Sequence, residues 1–121
     1  MPSVAVIGAS NARQKYGNKA VRAYLRQGWT VYPVNPNVGE QTVEGLKVYP
    51  TIADVPGPVD RVSMYVPASV GITLLDAIKA KGSTELFLNP GSESDELIAR
   101  AEALGLEPIQ ACSIVDIGER P

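Results

Sequence analysis

The sequence predicts an α/β fold: a doubly wound, mostly parallel sheet of five to six strands with helices on both faces. Three observations carry this. Short apolar runs rich in β-branched residues alternate with segments of helical period. The helical segments end on Gly28, Gly82 and Gly105, suited to the left-handed position that closes a helix. The ten prolines are dispersed, most of them at the joints between segments, and no repeat or low-complexity run appears. Strand, helix and strand in repetition imply parallel pairing through right-handed crossovers.

Ser3 to Ile7 reads as a strand buried on both faces, ended by Gly8. Val21, Tyr24 and Leu25 then fall at helical spacing before Gly28, with Tyr24 and Trp29 as packing residues. Thr30 to Val34 forms a second strand, stopped by Asn35 and Pro36. Leu46 to Tyr49 is a weaker third, followed by an irregular turn or short helix between Thr51 and Pro58. Arg61 to Val66 is a fourth strand. Pro67 opens a helix with the stripe Val70, Leu74, Ala77 and Ile78, closed by Gly82. Glu85 to Leu88 is a fifth strand. Ser92 and Asp95 have the spacing of a capping box before the helix marked by Leu97, Ile98, Ala101 and Leu104, and Glu107 to Gln110 is a final strand.

With 121 residues, 45% hydrophobic and 20% charged, residues 1–121 are expected to form a single domain with one modest core. The histidine count is zero. This excludes Ser-His-Asp and Cys-His nucleophiles, phosphohistidine relays and imidazole-bound metal sites. The single cysteine, Cys112, allows no internal disulfide, and no apolar stretch reaches membrane length. A cytoplasmic protein with no membrane partner is the expectation.

A net charge of −2 hides an asymmetry. Arg13, Lys15, Lys19, Arg22 and Arg26 stand before the first acid, Glu40, so Met1 to Gly39 carries +5 and the remainder −7. Lys19, Arg22 and Arg26 have a plain reading as the solvated face of a helix. Arg13 and Lys15 lie in the loop ahead of it and point to an anionic ligand. Nucleic acid is disfavoured, because the basic residues are few and only Tyr16 and Tyr24 are interleaved with them.

In a doubly wound sheet, ligands bind outside the carboxyl ends of the strands, where strand order reverses. The loops to inspect are 8–17, 35–39, 66–69 and 89–92. The first, Gly8-Ala9-Ser10-Asn11-Ala12-Arg13-Gln14-Lys15-Tyr16-Gly17, combines a tight glycine turn, small residues, polar donors and cations, with a helix start behind it. That is a place for phosphate. The dinucleotide fingerprint G-x-G-x-x-G fails at Ser10 and Arg13, and Asn35 stands where a ribose-binding acid would end the second strand, which disfavours NAD. The P-loop pattern is absent too. Tyr32-Pro33-Val34-Asn35-Pro36-Asn37 makes a stiff polar corner, and Tyr65-Val66-Pro67 offers an apolar wall for a flat ring.

Taken together, these residues resemble the CoA-binding domain known as single-domain proteins and at the start of succinyl-CoA synthetase α subunits and ADP-forming acyl-CoA synthetases. The matching stretches are VAVIGAS at Val4 to Ser10, the basic loop to Gly17, VYPVNP at Val31 to Pro36, and V-x-G-L-K-V-Y at Val43 to Tyr49. Asp54 to Pro56, VDRVSMYVPA at Val59 to Ala68 and the cysteine-containing segment Ala111 to Ser113 complete the order. The resemblance implies a Rossmann-like fold with coenzyme A as cofactor. It implies that Gly8, Ala9, Ser10, Asn11, Arg13, Lys15 and Tyr16 hold the phosphates, and that Asn35 and Pro36 flank the nucleotide. Tyr65, Val66 and Pro67 would border the adenine or pantetheine, with the turn at Leu88, Asn89 and Pro90 close by.

The synthetases need a phosphorylated histidine on a second domain, and this sequence has no histidine. The expectation is therefore non-catalytic binding of CoA or an acyl-CoA, by the chain alone, with a protein partner or as a homo-oligomer. Two alternatives stand beside it: a subunit supplying CoA to a larger acyl-CoA enzyme, and a module for another nucleotide such as NADP, with Arg13 on its 2′-phosphate. Cys112 is either a small buried hydrophobe or a thiol near the pantetheine end, placed for a mixed disulfide.

Overall fold

A computed structural model of the chain describes residues 2–36, 41–83 and 85–121. Among the described residues seven strands and five α-helices follow in order: β1 Ser3–Ile7, α1 Tyr16–Arg26, β2 Thr30–Val34, β3 Thr42–Val43, β4 Leu46–Lys47, β5 Arg61–Met64, α2 Ala68–Gly71, α3 Leu75–Ala80, β6 Glu85–Leu88, α4 Asp95–Ala103, β7 Glu107–Gln110 and α5 Ser113–Asp116. Five strands form a parallel sheet in the order β2-β1-β5-β6-β7. The chain steps outward from β1 to β2, then returns to β5 on the other side of β1. The order therefore reverses between β1 and β5.

Residues of β1 alternate between two cores. Val4 and Val6 pack with Ala20, Val21 and Tyr24 of α1 and Ile114 of α5. Ala5 and Ile7 pack on the opposite face with Leu75 and Ile78 of α3 and Leu97 and Ala101 of α4. All of β1 is buried, as expected for a strand covered on both faces. At the amino ends of the strands Arg61 is clamped. It bonds Glu85 on the next strand, reaches Asp116 of α5 at 2.9 Å and lies over the rings of Trp29 and Phe87. Burial opposes its charge, but hydrogen bonds to Glu85 and Tyr24 outweigh that and raise its pKa.

Several boundaries differ from the sequence reading. In place of one strand from Leu46 to Tyr49, β3 and β4 form a small antiparallel hairpin, and Tyr49 bridges to Val34. Glu44 and Gly45, at φ 49° and 79°, supply its two-residue turn. The fourth strand ends at Met64, two residues early, although the Tyr65 N–H still donates to the Ile7 carbonyl at 2.8 Å.

The helix after Pro67 is broken by a 3-10 turn at Ile72–Leu74, which changes the phase of its stripe. Gly71, Leu75 and Ile78 are buried, whereas Val70 is exposed. The cap of α4 is Ser94, whose hydroxyl accepts from the Leu97 N–H at 3.1 Å. Ser92 instead donates to the Val66 carbonyl at 2.6 Å. Leu25 is exposed, and α5 has no counterpart in the sequence reading.

Candidate functional site

A cleft of about 560 Å³ lies at the carboxyl ends of the strands, where their order reverses. One side comes from the loop after β1 and the start of α1: Gly8, Ser10, Gln14, Lys15, Tyr16 and Gly17. Asn35 closes the β2 end. The other side is Tyr65, Val66 and Pro67 after β5, with Pro90, Gly91 and Ser92 after β6. The volume falls within the range of small-molecule sites.

Backbone geometry sets the first side. Gly8 turns at φ 96°, and a β-carbon there would stand 3.2 Å from the Tyr65 backbone. Gly17, in the first turn of α1, rests against the Gly8 carbonyl, so the helix begins directly over the end of β1. No side chain caps α1, and its first turn carries no acid. The positive end of its dipole therefore meets the cleft uncompensated, beside Lys15. The Ser10 hydroxyl accepts from the Ala12 N–H at 3.0 Å and fixes the loop. Asn35 donates to the Ala9 carbonyl at 2.7 Å, tying the ends of β1 and β2 together.

Other candidates lie away from the lining. Ala9 faces the core, fully buried. Asn11 donates to the Thr42 carbonyl at 2.7 Å, and Arg13 sits 3.6 Å from Glu44 with its side chain 66% exposed. Both reach toward the β3–β4 hairpin. Pro36 lies beyond the described lining, and Asn37, Val38 and Gly39 of the same loop lie outside the described residues. Pro90, expected near the cofactor, lines the cleft. Gln14, Gly17, Gly91 and Ser92 line it without having been named as ligand contacts. The 89–92 loop marked the last two, and the closing glycine of the first loop marked Gly17.

Asn89 belongs to a buried network behind the cleft. Its amide donates to the Ser63 hydroxyl at 3.0 Å and the Met64 carbonyl at 2.9 Å, and its oxygen accepts from the Ser113 N–H at 2.9 Å. The Ser113 hydroxyl lies 2.6 Å from that of Ser63 and 3.2 Å from that of Tyr65. Burial pushes the Tyr65 phenol up to about 12, against the lowering effect of its bonds to Ser113 and Ser63. A second cavity of about 260 Å³ adjoins the cleft. Tyr16, Tyr65 and Pro90 border both, and Cys112, half-buried, is on its wall with Asn89, Val115 and Pro121. Among the described residues no cluster of acids or thiols is placed to hold a metal ion, and no helix is long and apolar enough to cross a membrane.

A family model described as a CoA binding domain matches residues 2–118. The chain is 45% identical over 65 residues to the acetate–CoA ligase (ADP-forming) II subunit alpha of Pyrococcus furiosus, covering 53% of this chain and 14% of that one. It is 39% identical over 82 residues to the acetate–CoA ligase (ADP-forming) II of Archaeoglobus fulgidus, covering 66% and 12%. The chain thus spans less than a fifth of these curated relatives.

A solved structure of a conserved hypothetical protein from Pyrococcus furiosus matches with a TM-score of 0.87 at 34% identity, covering 96% of this chain and 99% of that one. The apo dinucleotide-forming acetyl-coenzyme A synthetase 1 of Ca. Korarchaeum cryptofilum matches with a TM-score of 0.75 at 31% identity, covering 91% and 26%.

Proposed function

This chain belongs to the CoA binding domain family, and from that premise we propose that it binds coenzyme A or an acyl-CoA without catalysing a reaction of its own. The observation that carries the reading is the two-sided cleft at the reversal of strand order. Lys15 and the uncapped start of α1 supply positive potential on one side. Tyr65, Val66, Pro67 and Pro90 form a stiff, largely apolar wall on the other. A ligand with phosphates at one part and a ring or apolar arm at another matches both. The diphosphate lies against Ser10, Gln14 and Lys15, and the pantetheine arm runs past Tyr65 toward Pro90.

Arg13 plays a lesser part than Lys15, because its guanidinium is turned to Glu44. The decisive experiment is calorimetric titration with CoA, dephospho-CoA and NADP. CoA is expected to bind, dephospho-CoA more weakly, and NADP most weakly because it lacks the pantetheine arm. Absence of CoA binding by the folded protein sinks the proposal, and tighter binding of NADP replaces it with the nucleotide-module reading.

A second reading, that the chain holds CoA for a catalytic partner, draws on relatives that are far longer ligases. Mixing with such a partner would then change CoA turnover by the partner, and no change would remove it.

A further inference from the structure

We propose that the second cavity receives the acyl group of a CoA thioester, and that it favours a neutral chain of about six carbons; the inference rests on the CoA reading above. Tyr16, Tyr65 and Pro90 border both cavities, so a cofactor anchored by its phosphates in the first has its far end beside the second.

The walls suit an apolar occupant. Among the described residues no Asp, Glu, Lys or Arg side chain lines this cavity. The amide of Asn89 is engaged through both its nitrogen and its oxygen, and the Tyr65 hydroxyl is held by Ser113. Asn89 and Tyr65 therefore call for no polar ligand group. Of the four large hydrophobic side chains exposed among the described residues, two, Tyr16 at 56% and Val115 at 59%, stand at this cavity. Covering them gives apolar surface a partner it otherwise lacks. Lys19, with its ammonium 4.9 Å from the centre of the Tyr16 ring, holds that ring from outside the lining.

Size sets the chain length. An apolar cavity of about 150 Å³ takes benzene, roughly 25 Å³ per heavy atom. The 260 Å³ present here therefore hold about ten heavy atoms by that measure. The CH2–CH2–S end of the cofactor takes about three of these, which leaves about seven for the acyl group, the carbons and carbonyl oxygen of a hexanoyl chain.

The test is calorimetric titration, under reducing conditions, with CoA and its acetyl, butyryl, hexanoyl, decanoyl and succinyl thioesters. Affinity is expected to rise about fourfold per added methylene up to hexanoyl and then level off. Succinyl-CoA, which must bring a carboxylate into an apolar space, is expected to bind about tenfold or more weaker than butyryl-CoA. If CoA binds but affinity is flat across the series, or succinyl-CoA equals butyryl-CoA, the acyl site is wrong and the CoA reading stands. If CoA itself fails to bind, both fall. Val115→Asp, at an exposed position, is expected to abolish the dependence on chain length, and a retained dependence overturns the assignment. Circular dichroism confirms the variant's fold, and the wild-type series decides the matter if that variant does not fold.

Discussion

Replacing Gly17 by alanine separates two opposed effects. In an ordinary helix interior the change is stabilising by about 0.5–1 kcal/mol, because alanine has less backbone freedom to lose. Here the added methyl would fall on the Gly8 carbonyl oxygen, 3.0 Å from the Gly8 carbonyl carbon and 3.4 Å from the Ala9 α-carbon. These are backbone atoms and cannot rotate aside. Gly8 cannot recede either, since a β-carbon at that site would already be 3.2 Å from the Tyr65 backbone. Overpacking of this kind costs about 1–3 kcal/mol. The net loss is therefore about 1–2 kcal/mol, near 4–8 °C in melting temperature for a chain of this size. Thermal and denaturant unfolding measure it, with a fall in ligand affinity as α1 is displaced from the cleft. A variant as stable as the parent, or more so, would refute the close packing of α1 on β1.

Lys15→Ala should weaken CoA binding by about 1–3 kcal/mol, the range for a charge-assisted bond, and Arg13→Ala by less, as calorimetry of the two variants would show. Ser94→Ala should cost about 1 kcal/mol of stability through loss of the α4 cap, read from urea unfolding. Stability should fall as pH rises from about 10 toward 12. The neutral Tyr65 phenol is favoured in the folded state, so its contribution is intact below the unfolded pKa of 10.0 and lost as pH approaches the folded value of about 12. Tyr24, also raised by burial, acts in the same direction. Unfolding followed at several alkaline pH values would show a shallower fall for Tyr65→Phe, and an equal fall would remove Tyr65 as a source.

The elements legible in the sequence are those whose local chemistry agrees with their burial. Ser3–Ile7, Thr30–Val34 and Glu85–Leu88 begin and end where their apolar runs, glycines and turn residues say they should. The hairpin is not legible, because its turn needs a positive φ at Glu44, a residue type that does not announce one. Helix α5 spans only Ser113–Asp116, too short for a period. What holds it is distant in sequence: Asn89 accepts from the Ser113 N–H, and Arg61 reaches Asp116. Of the site, the loops were legible from the topology alone, since strand order decides where they converge. Which side chains turn inward was not. Ser92 looked like a cap, yet its hydroxyl is drawn to carbonyls of the neighbouring β5 turn, and Ser94 serves α4 instead.

The same distinction changes what the +5 of the first 39 residues means. Charge segregated along the chain is partly neutralised in space. Glu44 comes back to Arg13 from the hairpin, and Glu119 lies 2.8 Å from Arg26. Bonds from Gln27 and Arg26 hold the Glu119 carboxyl below its usual range. Arg22 is spent on the loop itself, bonding Asn18 and the Arg13 carbonyl. Among the described residues Lys15 is the one cation of the five that lines the cleft, and it does so where the helix dipole has the same sign. Two positive sources meet at that end of α1, whereas Lys19, Arg22 and Arg26 line a separate cavity of about 250 Å³ together with Arg120.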